Sequence, residues 1–99
     1  RVPGEAERAA VDRVIFDELC QGMLRDDSRA RYVRIIESLA REGCDSVALS
    51  CTEIPLLVTP EVSPLPTLDS TRLLAHAAVA VATGSDPLPT WRGGPFRGA

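Results

Sequence analysis

The sequence predicts a small, mostly helical α/β unit with about two short parallel strands, and three observations carry that reading. Apolar residues recur at helical spacing in two stretches of the first half. The second stretch ends at a glycine and gives way to a short run of small and β-branched residues, the order expected of half an α/β repeat. A proline-rich loop then leads through a second extended run into an alanine-rich helix.

The first stretch runs from residue 5 to about residue 23. Val11, Val14, Ile15 and Leu19 share a face, with Glu7, Arg8, Asp12 and Asp17 elsewhere around the wheel, which describes an amphipathic helix with Gly22 near its end. Asp26, Asp27 and Ser28 supply N-cap candidates for a second helix reaching about residue 42, with a buried stripe of Tyr32, Ile35, Ile36 and Leu39. Gly43 fits the position just past that helix, where a left-handed backbone costs glycine little.

Residues 46–50 suit a buried parallel strand. Residues 52–58 read as a helical turn or short helix, because Pro55 is tolerated in a first turn whose amides lack partners anyway. Residues 59–66 hold three prolines and form a loop, ending in a short strand near residues 65–68. Asp69, Ser70 and Thr71 cap a last helix from residue 72 to about 83, whose alanines favour helix and close packing, and Gly84 stops it. Residues 85–99 lack periodicity and are rich in Gly and Pro, so the expected organisation is one folded unit over 1–84 and a flexible tail over 85–99. Arg1-Val2-Pro3-Gly4 reads as a linker, and the whole as a stretch cut from something longer.

With 99 residues, 44% of them hydrophobic, a single core is expected. The net charge of −3, with arginines spread through the first half, gives no basic patch and speaks against a nucleic-acid partner. The longest apolar runs are too short to span a bilayer, and no signal-peptide pattern is visible, so no membrane partner is expected. Cys20, Cys44 and Cys51 include no CxxC pair, and the single histidine, His76, is distant in sequence. Neither a metal site nor a disulfide framework is indicated, and reduced thiols in a cytoplasmic protein are expected.

Cys51 falls at the carboxyl end of the first predicted strand, where open α/β sheets place ligands. A helix N-terminus following it would stabilise a thiolate, lowering a thiol pKa from its usual value of about 8.5. The amides of Thr52 and Glu53 would be open to a substrate carboxylate. The same placement also describes a small, buried and inert cysteine, and position alone favours that reading. Cys44 has no adjacent capping segment, and Cys20, within the first helix, reads as a packing residue or an exposed thiol. His76 lies in the alanine-rich helix with no feature tying it to Cys51, although a Cys51–His76 hydrolase is a conceivable alternative. Asp69 and Thr71 read as caps, and Asp26-Asp27 as a solvated turn.

Ser50-Cys51-Thr52-Glu53-Ile54-Pro55-Leu56-Leu57 resembles the Gly-Cys-Thr-Glu segment of the aspartate/glutamate racemases, the aspartate racemase branch in particular. Ile15-Phe16-Asp17-Glu18-Leu19 with Gly22 is similar to the helix end upstream of that segment. Leu65-Pro66-Thr67-Leu68-Asp69-Ser70-Thr71 before an alanine-rich helix is similar to the segment downstream. Order and spacing agree over about residues 5–84.

The resemblance implies a pseudo-symmetric, two-lobed parallel-sheet fold, of which this chain is a C-terminal portion, and a cofactor-independent isomerase acting on a small amino acid. It implies two cysteines on opposite faces of the α-carbon: Cys51 matches the second, and the first belongs to an N-terminal lobe. Thr52 would hold substrate, with Glu53 as polar support, and the intact enzyme would be a homodimer. Gln21 stands where aspartate racemases carry a lysine that pairs with a substrate carboxylate; it can hydrogen-bond a carboxylate without neutralising it, which opens the choice of amino acid. Ser50 stands where glycine is usual. The competing expectation is a non-catalytic remnant or interaction domain of the same fold.

Overall fold

A computed structural model of the protein describes residues 1–89. Helix α1 spans Glu5–Asp17, a short 3₁₀ turn follows at Leu19–Gln21, and α2 spans Asp26–Arg41. Strand β1 (Val47–Leu49), the one-turn helix α3 (Ile54–Leu57), β2 (Thr67–Asp69) and α4 (Ser70–Ala82) complete the order. The two strands are parallel, with Val47 opposite Thr67 and Leu49 opposite Asp69. This register brings the exits of both strands to one edge of the sheet. The α/β class and the parallel pair agree with the sequence expectation.

Helix α2 is the centre of the packing, and its predicted stripe of Tyr32, Ile35, Ile36 and Leu39 is buried in full. Tyr32 and Ile36 join Val14, Leu19, Leu49, Ile54, Leu57 and Val58 in one cluster, so α1, the 3₁₀ turn, β1 and α3 all close on α2. Gly43 has φ +91°, and the amides of Gly43 and Cys44 bond back to Ala40 and Leu39, satisfying the last carbonyls of α2 as its sequence predicts.

Several expectations are corrected. The first helix stops at Asp17 instead of residue 23, because Gly22 takes a left-handed conformation (φ +75°) and the chain before it tightens into the 3₁₀ turn. The N-cap of α2 is Arg25; Asp26 and Asp27 lie inside the first turn, where they complement the helix dipole. Ser28 is buried and donates to Glu18 Oε2 at 2.6 Å, which ties α2 to the end of α1 rather than capping it. Strand β1 is buried only at Leu49, and Ala48 is exposed.

The cap of α4 is as expected, with Asp69 Oδ1 accepting from the Arg72 amide at 3.1 Å, while Thr71 lies inside the helix. Its close packing is not: no residue of α4 is buried, and Leu73, Leu74 and Val79 are 55%, 72% and 62% exposed. Residues 85–89 carry no helix or strand, and the remainder of the predicted tail, residues 90–99, lies outside the described residues.

Two further polar ties fix α2. Arg29 Nε donates to the Leu57 carbonyl at 3.0 Å, and the Tyr32 hydroxyl donates to the Val11 carbonyl at 3.0 Å. Burial, followed by the charges of Cys51, Glu18 and Asp12, pushes the Tyr32 phenol from 10.0 up to about 12. A phenol whose folded pKa is raised favours the folded state below pH 10, and that contribution is lost as pH rises from 10 through 12. Tyr32 is the only tyrosine, so phenolate absorbance reports on it directly. The titration midpoint should lie near 12 in the folded chain and near 10 in denaturant. Coincident midpoints would contradict the buried environment.

Candidate functional site

Cys51 lies two residues past the end of β1, in a bend over residues 51–53 that leads into α3. It is half-buried and packs against the central cluster. The bend exists because β1 must release the chain while Ile54 and Leu57 return to the core. Pro55, in the first turn of α3, lacks only an amide that would have no partner there.

The side chains of the bend converge on one carboxylate. Cys51 Sγ donates to Glu53 Oε2 at 3.2 Å, and Thr52 Oγ1 donates to the same oxygen at 2.6 Å. The Thr52 hydroxyl first, then the Cys51 thiol, holds the Glu53 carboxyl below its usual range. Glu53 is therefore ionised at neutral pH and faces a thiol proton.

This corrects the expected anion site. Helix α3 has a single turn, so its dipole is small, and its N-cap is Glu53. The anion at the turn is the protein's own carboxylate, which Glu53's own amide also faces. A substrate carboxylate would meet like charge there.

The other candidates lie on other elements. Gln21 is exposed at the end of the 3₁₀ turn, and its side chain makes no hydrogen bond among the described residues. Leu19, two residues earlier, shares the core cluster with Leu49 and Ile54, which flank the Cys51 bend. Cys44 precedes β1 and Cys51 follows it, putting about 10 Å of strand between them. Cys20 is exposed on the 3₁₀ turn.

A cavity of about 720 Å³ opens beside the bend, between α3 and the first turns of α4. Thr52, Leu56, Glu61, Asp69, Arg72 and His76 are in its wall, and Cys51 is not. His76 thus shares a cavity with Thr52, but the thiol donates to Glu53 and faces no imidazole. That disfavours a Cys51–His76 pair.

Sequence reasoning missed the role of Glu53 as shared acceptor and the contact of Ser70, whose hydroxyl donates to the Leu49 carbonyl at 3.2 Å. The first was in reach, since Cys-Thr-Glu in a tight bend places two short donors beside a carboxylate. The second depends on strand register and is not visible locally.

The profile of the Asp/Glu/hydantoin racemase family matches residues 1–78 of the chain. Among solved structures, the chain is similar to a candidate Asp/Glu racemase from Yersinia pestis, with 38% identity and a TM-score of 0.77 over 82% of its length. It spans 35% of that protein.

Proposed function

Because the chain belongs to the Asp/Glu/hydantoin racemase family, we propose that it forms part of a cofactor-independent amino-acid racemase in which Cys51 handles the α-proton on one face of the substrate. The observation that carries this reading is the Cys51 thiol donating to an ionised Glu53 at 3.2 Å, just past the carboxyl end of a parallel strand. Strand ends of this kind are where α/β sheets place their ligands.

Inversion at carbon needs a base on one face and an acid on the other. The Cys51 thiol gives up its proton to solvent, leaving a thiolate, while Glu53, whose carboxyl is held below its usual range, orients the sulfur. The thiolate removes the α-proton: the C–H bond breaks, an S–H bond forms, and the electron pair passes into the substrate carboxylate. A thiol on the opposite face then gives its proton to the α-carbon, which acquires the inverted configuration. Cys44 lies at the other end of β1 and Cys20 on the exposed 3₁₀ turn, so neither is suited to be that thiol. It belongs to the N-terminal lobe of the longer enzyme, of whose length this chain spans about a third if the Yersinia pestis protein is the guide.

Thr52 spends its hydroxyl proton on Glu53, and its oxygen keeps lone pairs that can accept from a substrate ammonium. Gln21 adds a neutral hydrogen-bonding group, so neutral as well as acidic amino acids fit the reading. The test is deuterium incorporation at the α-carbon. The two-lobed protein, with thiols reduced, is incubated in deuterated water with L-aspartate, L-glutamate and neutral amino acids. Exchange with at least one is expected; a folded protein that exchanges none would be a non-catalytic relative.

A further inference from the structure

We propose that Ser70 is a positioning residue for Cys51, acting through the backbone carbonyl of Leu49. The proposal rests on the reading of Cys51 as the reactive thiol. In the parallel register Leu49 faces Asp69, so Ser50 and Ser70 are the first residues beyond the paired strands, at the same edge of the sheet. The Ser70 hydroxyl reaches across to the Leu49 carbonyl at 3.2 Å. That carbonyl belongs to the peptide unit entering Ser50, one residue before Cys51.

The bend needs such a tie. The side-chain hydrogen bonds of Cys51 and Thr52 both end on Glu53, inside the bend itself. Besides the packing of Cys51 on the central cluster, the bend's attachment to the fold runs through α3 on one side, where Ile54 and Leu57 are buried, and through Leu49 on the other. Ser70 is in turn fixed, because Asp69 caps the first turn of α4 through the Arg72 amide. Since α4 buries no residue, the Ser70 hydroxyl is a specific polar link between the start of that helix and the strand that delivers Cys51. Removing it frees the peptide at residue 49 to reorient and lets the Cys51 thiol drift from Glu53.

The experiment measures alkylation of each thiol by iodoacetamide across pH, resolved by peptide mass spectrometry, with Cys20 and Cys44 as internal references. It uses the full 99-residue chain and the variants Ser70→Ala, Ser70→Thr and Thr71→Ala. A single hydrogen bond corresponds to roughly a 2- to 10-fold change in an equilibrium. Ser70→Ala should change the Cys51 rate by about that factor and move its pH midpoint, with Cys20 and Cys44 unchanged. Ser70→Thr should restore both, and Thr71→Ala should match the parent chain. An unchanged Cys51 profile in Ser70→Ala, a parallel change at all three thiols, or failure of Ser70→Thr to restore it would overturn the proposal. The readout needs no turnover, so an absence of α-proton exchange would remove the racemase reading while leaving this result to stand or fall on its own.

Discussion

Leu57→Ala is expected to cost about 2–5 kcal/mol of folding stability, the range for removing a buried leucine side chain from a packed core. Leu57 and Val58 are the two fully buried large side chains among the described residues, and Leu57 also presents its carbonyl to Arg29 Nε at 3.0 Å. Truncation there leaves a void bounded by α2 and β1, in a chain of 99 residues whose total stability is on the order of 5–15 kcal/mol. The loss is thus a large fraction of the whole. In urea the midpoint should fall by roughly 2 M, given a slope of about 1–3 kcal/mol per molar for a small domain. Leu56→Ala is the control, since Leu56 sits one residue away and is 62% exposed. It should change stability by no more than about 0.5 kcal/mol. Equal midpoints for the two variants would show that α3 is not anchored in the core as described.

The contrast between Leu56 and Leu57 also marks what the sequence disclosed. Features set by neighbours a few residues apart were legible: the α2 stripe, the stop at Gly43, the tolerance of Pro55 and the Asp69 cap all follow from helix geometry. The end of α1 was not, because its periodic pattern continues through Leu19 while Gly22 and the Ser28–Glu18 bond turn the chain away. Ser28 shows the general cause. A serine after two aspartates looks like a cap, and only the packing of α2 against α1 assigns its hydroxyl to a partner ten residues upstream. Helix α4 fails in the opposite direction: its alanines make the helix, but composition alone does not specify what it packs against.

For the candidate site, the position of Cys51 at a strand exit was legible, and its electrostatic setting was not. A cysteine before a predicted helix suggests a thiolate stabilised by a helix dipole. The structure gives instead a one-turn helix and a carboxylate that accepts a hydrogen bond from the thiol. The proposed role of Cys51 then rests on its place at the strand exit and on the hydrogen bond that orients its thiol.

Cys51→Ser should have the largest effect on chemistry. A serine hydroxyl can still donate to Glu53, so the bend and the half-buried packing at residue 51 are retained. It is far less acidic than a thiol, and a positioned acid–base group contributes about 10²–10⁴-fold to proton transfer. Racemisation by the two-lobed protein should therefore fall by that factor in both directions, because each direction uses Cys51 once, as base or as acid. Deuterium exchange without inversion should be asymmetric. The enantiomer whose α-proton faces residue 51 loses its base and stops exchanging, whereas the other still meets the thiol on the opposite face and can recover a deuteron from it with retention. Cys20→Ser and Cys44→Ser should leave both measurements unchanged. Loss of exchange from both enantiomers alike would point to a collapsed site rather than a missing base, and full racemisation in Cys51→Ser would remove this residue from the mechanism.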